Sequence, residues 1–566
     1  MLQCDNGAFM ELHLHNPAPT PLAAPPMPSY IPPFGIRTVV GALGVLLAVH
    51  VAGFNEHITE IGLADISGQM HLGHDEGVWF LSTYEAFNIA AMAFTPWFYV
   101  TFSIYRFTLF ITAALALLAL PAPYMPDVVS LCVLRACQGL AAGCLPPILM
   151  TVMLKYLPPH LRVFGIGGYA MSATFGPNLG GPLEALLFGH LGWQWLYWET
   201  LPLCAIAIAM IAWGLPRDPS HWERFRQFNW RGFVLGVPSI TAVVTVLYHG
   251  ERLDWFSSPL IVHLSIFGGV LFVAFIAHEW FHHSPFFRVQ FWGNRNIASS
   301  LMTLVGTLVI CGLMMEVPMT FLEEVHGQRP EQIAPVALIV ALPQLILLPV
   351  TAAFCNMRAV DCRWVLGCGM AFLATAAFLG TGINPEWMRQ NFYLIQALQI
   401  FGQPMVVIPT LMLATMALGP ADGPMISGMV NMLKGLANAL AFAIFAVLLR
   451  TRENFHSVML LDRVGHDVHV LPGLVGNPIA GGLATSGPDG GKQAQTALEV
   501  FHGYVHEQAI TLTLADIYLL IAILCVGYIA LNALLPARVY PPQPVPPPPP
   551  ADLPAGEPSS DLVPQN

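Results

Sequence analysis

The sequence predicts an all-α integral membrane protein with fourteen transmembrane helices, and three observations carry that prediction. Of 566 residues, 55% are hydrophobic and 10% charged, with a mean hydropathy of +0.62; a soluble domain carries about 25% charge. Fourteen apolar runs follow one another along the chain, each near the roughly 20 residues that cross a hydrocarbon core. The Lys and Arg residues between the runs are unevenly shared. Thirteen fall on the side of the N-terminus and seven on the other, four of those seven within one long loop. Because the richer side faces the cytoplasm, the chain is expected to be a multi-pass inner-membrane protein with both termini cytoplasmic.

In order, the runs lie at about 37–56, 77–98, 105–124, 129–152, 163–187, 195–215, 232–250, 259–279, 297–322, 333–354, 363–382, 391–417, 425–449 and 512–535. The first can continue past Glu60, since ITEIGLADI stays largely apolar. Residues 1–34 are polar and proline-rich, without the basic and short apolar regions of a cleaved leader, so the first span is expected to act as an uncleaved signal anchor. Segment 450–511 is the large extracytoplasmic piece. It holds GNPIAGGLATSGPDGGKQ and then a helix-like ALEVFHGYVHEQAITLTLADIY. It reads either as a tolerated insertion or as a docking surface for a periplasmic partner. The tail 538–566 is of polyproline type, PPQPVPPPPPADLPAGEP, and cannot bury a core.

Composition also excludes classes. The net charge of −11 sits mostly in loops and tails, and no basic patch suggests a nucleic-acid partner. Most of the ten cysteines lie in or beside apolar runs and none forms a CxxC pair, so they read as small buried hydrophobes. HLGH and HHSPFF lack the further ligands of a metal site. With no catalytic triad, phosphate loop or metal cluster, neither an enzyme nor a cofactor is expected.

The fifth run, GIGGYAMSATFGPNLGGPLEALL, is the unusual one. Gly168, Ser172, Gly176 and Gly180 recur every fourth residue, the spacing that lets helices approach closely in lipid. Pro177 and Pro182 delete backbone donors and invite a bend. The segment is either plain close packing or a hinge built on Gly176, Pro177, Gly180, Gly181 and Pro182. An intramembrane ionisable group is costly and a functional candidate. Arg135 is one, set in LRACQGLAAG with Gln138 and Gly139. Glu85 in STYEAFNIA, Glu60 in FNEHITEI and Glu316 in LMMEVPMT, in that order, are the candidates for carrying a proton; each reads alternatively as an interfacial acid satisfied by water or backbone. Glu184 and Glu199 lie nearer helix ends. Lys434 in NMLKGLANAL is the lysine set well inside a span, and it can pair with one of these acids or with Asp422. Trp79, Tyr84, Phe87, Trp97, Tyr169 and Phe175 could contact an apolar or cationic substrate, or simply pack helices.

These motifs carry a family resemblance. Arg135 through Gly143 resembles the fourth-helix R-x-x-Q-G motif of major facilitator superfamily proton antiporters. Gly176-Pro177 through Gly180-Gly181-Pro182 resembles their fifth-helix motif. Trp193-Gln194-Trp195-Leu196-Tyr197 and Pro202 resemble a run of the fourteen-span drug:proton antiporters of EmrB/QacA type, and the long segment before the last span is similar to the EmrB-like branch. The resemblance covers 37–537. Two departures stand out. The loop motif between the second and third helices reads TPWFYVTFSIYRFTLF, keeping only Arg106, with a cousin later in NMRAVDCRWVLG. The first-helix signature reads FNEHITEI, with Asn55 where the family has Asp and Glu60 where it has Asn.

The resemblance implies a major facilitator fold. A six-helix bundle at 35–215 and another at 297–537 would flank two inserted helices within 216–296, with disordered ends at 1–34 and 538–566. It implies proton-coupled efflux of amphipathic toxic compounds by alternating access, with small-molecule substrates, protons and membrane lipid as partners. Where the host has two membranes it also implies a periplasmic adaptor and an outer-membrane channel. Arg358, Asp361 and Arg363 would latch a cytoplasmic gate, unless that loop is merely solvated. Export of one metabolite or siderophore, or a non-transporting sensor or scaffold, are the alternatives.

Overall fold

A computed structural model of the chain describes residues 35–158, 161–415, 423–466, 491–532 and 535. The tails 1–34 and 536–566, and Asp422, lie outside the described residues. The described residues contain no strand. The helices, in order, are α1 (Ile36–Ile61), α2 (Leu63–Met70), α3 (His74–Phe102), α4 (Ile104–Ala119), α5 (Val128–Tyr156), α6 (Arg162–Leu191), α7 (Trp195–Trp198), α8 (Thr200–Gly214), α9 (Trp230–His249), α10 (Pro259–Phe281), α11 (Arg295–Glu324), α12 (Pro330–Cys355), α13 (Cys362–Gly380), α14 (Arg389–Thr415), α15 (Gly423–His466) and α16 (Gly491–Asn532).

Twelve of the helical segments are long and apolar enough to cross a membrane, α7 and α8 together making one. Helices α3 and α6 add two more of 29 and 30 residues. They fall short on apolarity because α3 carries Asp75, Glu76 and Glu85, and α6 is rich in Gly, Pro and polar side chains. A polar helix persists in a bilayer when protein rather than lipid surrounds it. Helix α3 meets that condition: it packs against α5, α9 and α15. Fourteen spans are compatible with this arrangement.

Small residues set the closest approaches. A Cβ on Gly139 of α5 would collide with the Tyr84 carbonyl of α3, so the α3–α5 pair is held backbone to backbone. Asp127 caps α5 by accepting from the Ser130 amide at 2.9 Å, satisfying one of the donors a helix start leaves free. The other major pairs are α1 with α8 and α6, α13 with α14 and α16, α11 with α15, and α6 with α12.

Segment 450–511 is less of a loop than its composition suggests. Helix α15 runs for 44 residues, about 66 Å at 1.5 Å per residue, roughly twice the thickness of a hydrocarbon core. Helix α16 begins at Gly491. The α15 extension is joined to α16 by Asp516, at the start of the last apolar run, which accepts from Arg452 Nε and His456 Nε2, both at 2.8 Å, and by Glu453, 3.1 Å from His506. These charged pairs keep the helices together at the edge of the apolar span and past it. The Gly-rich stretch between them lies outside the described residues.

Candidate transport cavity

The polar end of α1 organises the site. FNEHITEI sets Asn55, Glu56, Thr59 and Glu60 within about one and a half turns, so they spread over two faces of the helix. One face receives Arg135 from α5. Its guanidinium, 1% exposed, donates to Asn55 Oδ1 at 3.0 Å, Thr59 Oγ1 at 2.8 Å and Gln138 Oε1 at 3.1 Å. It also lies 4.5 Å from the Phe80 ring and 4.1 Å from the Tyr84 ring. Gln138 donates onward to the Leu118 carbonyl at 3.0 Å, and Asn55 to Thr200 Oγ1 at 3.3 Å. A buried charge is thus met by neutral oxygens and aromatic faces, which lower its desolvation cost.

The other face lines a cavity of about 660 Å³, a size that suits a drug-sized ligand. Glu56, Glu60 and Glu85 line one wall and Glu316 and Glu323 another. The three acids singled out by sequence, Glu85, Glu60 and Glu316, therefore share one space, although they come from α1, α3 and α11. The apolar share of the wall includes Met315 and Met319 of α11, Tyr84, Tyr248 and Phe442. His57 ties the α1 acids together, 3.1 Å from Glu60 and 3.7 Å from Glu56. Asn88 of α3 donates to Glu56 at 3.2 Å.

The sequence reading missed Glu56. It stood between Asn55 and Glu60, both read against the family's first-helix signature, and its one available signal was its place one turn before Glu60. Gln403 of α14 was missed too. It lines the cavity and is the second member of a chain of buried amides in which Gln344 donates to Gln403 at 2.6 Å, Gln403 to Gln399 at 3.1 Å and Gln399 to Gln396 at 2.8 Å. Four glutamines scattered over two helices give no local sequence signal.

Among the described residues Lys434 bonds no acid directly, and the alternative pairing with Asp422 lies outside them. The lysine Nζ donates to the backbone and hydroxyl oxygens of Ser172 on α6, at 2.9 and 3.1 Å. It lines a small space of about 40 Å³ with Glu56, Glu85, Asn88 and Asn438, room for about one water molecule. Lysine and carboxylates thus face one pocket from opposite helices without touching.

Helix α6 runs unbroken through Pro177 and Pro182. Pro177, Gly181 and Pro182 line the cavity. Gly176 borders the smaller space, and a Cβ at Gly180 would come within 2.6 Å of His57 Cβ. Glu184, 1% exposed, is buried beside Gly62 of the α1–α2 junction rather than lining the cavity. Among the singled-out aromatics, Tyr84 borders the cavity, whereas Trp97 packs among Phe98, Phe225, Phe228 and Phe286. Tyr169 bonds Asn431 at 2.9 Å, Trp79 lies against His249 and Phe175 against His50. Among the described residues no group of His, Cys, Asp or Glu is placed to hold a metal ion.

The cavity's two ends differ. At the end bearing the C-terminus of α1 and the N-terminus of α3, its lining includes the exposed Ala64, His74 and Glu323. At the other end the helices close on one another. Tyr99 of α3 bonds Thr151 of α5 at 2.7 Å and Ser427 of α15 at 3.2 Å, all three buried. Gly167 of α6 meets Pro349 of α12, where a Cβ would stand 3.2 Å from the Pro349 Cα.

Arg358, Asp361 and Arg363 stand apart from the cavity. Asp361 caps α13, accepting from the Arg363 amide at 2.9 Å and its guanidinium at 2.8 Å. Burial opposes ionisation of the Asp361 carboxyl, but the hydrogen bonds from Arg363 outweigh it and hold the carboxyl below its usual range. Arg363 also approaches the Leu535 carbonyl at 3.4 Å, and Asn532 the Arg363 carbonyl. The pair therefore binds α13 to α16, and Arg358 is exposed.

The comparisons with known proteins agree with this architecture. The model of the Major Facilitator Superfamily matches residues 45–317. The chain is 21% identical over 440 residues to the multidrug export protein EmrB of Escherichia coli K12, covering 76% of this chain and 84% of that protein. It is 25% identical over 456 residues to the fatty acid resistance protein FarB of Neisseria gonorrhoeae, covering 77% and 85%. The solved structure of the proton:xylose symporter XylE superposes with a TM-score of 0.51 at 10% identity, over 88% of this chain and 96% of that one. Motifs, helical architecture and relatives agree in what the chain resembles: it is similar to the Major Facilitator Superfamily and, along three quarters of its length, to exporters of the EmrB type.

Proposed function

We propose that the chain exports amphipathic toxic compounds across the inner membrane in exchange for protons. The carrying observation is one cavity that gathers acids from α1, α3 and α11, reaches exposed residues at one end and is closed at the other. Given cytoplasmic termini, the exposed end is extracytoplasmic and the conformation faces outward. The bundles 35–215 and 297–537 would rock about this cavity, opening the Tyr99–Thr151–Ser427 and Gly167–Pro349 contacts as the outer end closes. This is the alternating access of a two-bundle carrier.

The acids supply the coupling. An ionised carboxylate facing a low-dielectric wall is costly, and a proton or a cationic substrate relieves that cost. Glu85, Glu60 and Glu316, with Glu56 added, would exchange protons for substrate, and Lys434 would be the fixed positive charge that limits how many ionise together. Pro177, Gly181 and Pro182 would let α6 flex at the cavity. Asp361 and Arg363 serve the α13–α16 junction, with Arg358 beside them at the cytoplasmic edge.

Where the host has two membranes, a periplasmic adaptor and outer-membrane channel would meet the extensions of α15 and α16, whose Phe455, Val458 and Met459 are exposed. Export of a single metabolite is the second reading. It is favoured by Asn55, which holds Arg135 with an amide where the resembled antiporters have an acid. Inverted membrane vesicles decide between them: the wild type is expected to accumulate ethidium on establishing a proton gradient. Accumulation of no dye, with transport of one metabolite, selects the second reading; transport of neither removes both. Normal pH dependence in both Glu85→Gln and Glu60→Gln overturns the coupling assignment.

A further inference from the structure

Helices α9 and α10 pack along each other between the two six-helix segments of the chain. Helix α9 packs along α3 on one side and α15 on the other, so it lies at the seam where these two helices meet. A Cβ at its Gly236 would collide with the rings of Phe94 from α3 and Phe275 from α10. Helix α10 lies outside it, with Ile266, Phe267, Val270 and Val273 exposed as lipid-facing residues are.

Near the other end of α9, Tyr248 lines the cavity. Its ring stacks on that of Phe442 from α15, also a lining residue, with centroids 4.6 Å apart and planes 20° apart. The next residue, His249, is fully buried. It bonds Ser82 of α3 at 2.8 Å and lies against the Trp79 ring at 4.0 Å.

The following turn grips both neighbours. Arg252 forms an ion pair with Asp75 at the start of α3 and bonds His249 Nδ1 at 3.2 Å. From the other side, Arg450 of α15 reaches the Glu251 carbonyl at 2.9 Å, its carboxylate at 3.1 Å, and Asp254. Asp254 and Trp255 adopt φ of 56° and 49°, a left-handed shape that side chains disfavour and that the surrounding bonds hold.

From this we infer that the α9–α10 pair is the side wall of the cavity at the α3–α15 seam, with Tyr248 touching the transported molecule and the 249–254 turn clipping the wall to both bundles. The Tyr248–Phe442 pair offers stacked π faces, which suit flat aromatic and cationic solutes. Without the wall, the seam would open sideways to lipid.

The wall itself does not rest on the transport reading; the contact with a transported molecule does. The test uses the full chain with its ten cysteines replaced, carrying one new cysteine as Tyr248→Cys, as Met319→Cys on the α11 part of the lining, or as Val234→Cys. Val234 is 62% exposed on the outer face of α9. A membrane-impermeant methanethiosulfonate is added from the extracytoplasmic side of intact cells. Thiols in water ionise and react while those against lipid do not, so Tyr248→Cys is expected to label about tenfold faster than Val234→Cys. Equal rates overturn the wall, whether or not the chain transports anything. Ethidium is then added: slowing at both 248 and 319 supports the contact, and slowing at 319 alone overturns it. Slowing at neither counts against the transport reading, while the labelling rates still decide the wall.

Discussion

Arg135 of α5 donates to the side-chain oxygen of Asn55 on α1 at 3.0 Å. The two residues are 80 positions apart, and their bond joins the fourth long helix to the first. Arg135→Ala leaves Asn55, Thr59 and Gln138 short of a donor in a buried site. Unsatisfied buried groups cost about 1–3 kcal/mol each, so the purified variant is expected to melt several degrees below the wild type in detergent. Arg135→Lys provides a point charge without the planar fork and should recover only part of the loss. Asn55→Asp puts a carboxylate against the guanidinium and is expected to raise the melting temperature above that of Asn55→Ala. Equal melting of those two variants would show that Asn55 contributes nothing through Arg135.

The acids should not be equivalent. Glu60 is bound by His57, and its side chain is 37% exposed, whereas Glu85 is buried with one carboxylate oxygen lacking a partner. Glu85→Gln and Glu56→Gln are therefore expected to flatten the pH dependence of vesicle transport more than Glu60→Gln. The reverse order would place the proton site at the mouth of the cavity.

Lys434 fixes α15 to α6 through Ser172. Lys434→Met removes both the charge facing Glu56 and Glu85 and the bond to α6, and transport is expected to fall by at least tenfold; a bond to a charged group alone is worth about 1.5–3 kcal/mol. Ser172→Ala removes only the hydroxyl contact and should retain most activity. If Ser172→Ala is as damaging as Lys434→Met, the lysine acts through its position rather than its charge.

Two glycines of α6 test the moving parts separately. Gly180→Leu pushes into His57 and is expected to abolish transport while membrane insertion, followed by surface labelling, stays normal. Gly167→Val pushes into Pro349 at the closed end and should favour the opposite conformation. Labelling of a cysteine at Tyr99 from the cytoplasmic side is expected to speed up in that variant; an unchanged rate would show that the α6–α12 contact does not hold the end closed.

Asp361 and Arg363 give a pH-dependent pair outside the cavity. The folded carboxyl is held below its usual range, so its contribution is present above the unfolded value and lost as pH falls through the folded one. Asp361→Asn keeps a side chain that can cap α13 but loses the charged bond to the Arg363 guanidinium, so it should melt below the wild type at neutral pH by about 0.2–1 kcal/mol. The difference should begin to shrink as pH falls below about 4, where the unfolded carboxyl takes up its proton, and should be gone once pH has also fallen through the lower folded value.

The fold was largely legible because lipid imposes a simple rule: a span is long and apolar. Among the described helices α3 and α6 stretch the rule, since their polar residues are tolerated only where protein encloses them; both still read as runs of spanning length, and α6 carried the glycine–proline motif as well. The intramembrane acids Glu60, Glu85 and Glu316 stood out as costs the sequence would not carry idly. Glu56 was hidden by its neighbours. Tyr248 and the amide chain running through Gln403 were illegible, since ordinary residues acquire a role only when distant helices meet. Lys434 was visible as a charge, but its partner Ser172 is 262 positions away, beyond any local pattern.

The length of α15 has a mechanical consequence. Residues 450–466 continue a membrane helix as a stiff rod of about 25 Å, braced by Asp516 against α16. A tilt of 10° in the bilayer would swing its tip by about 4 Å, by simple trigonometry on that length. The rod is a lever arm, converting motion around the cavity into a displacement that can be read outside the membrane.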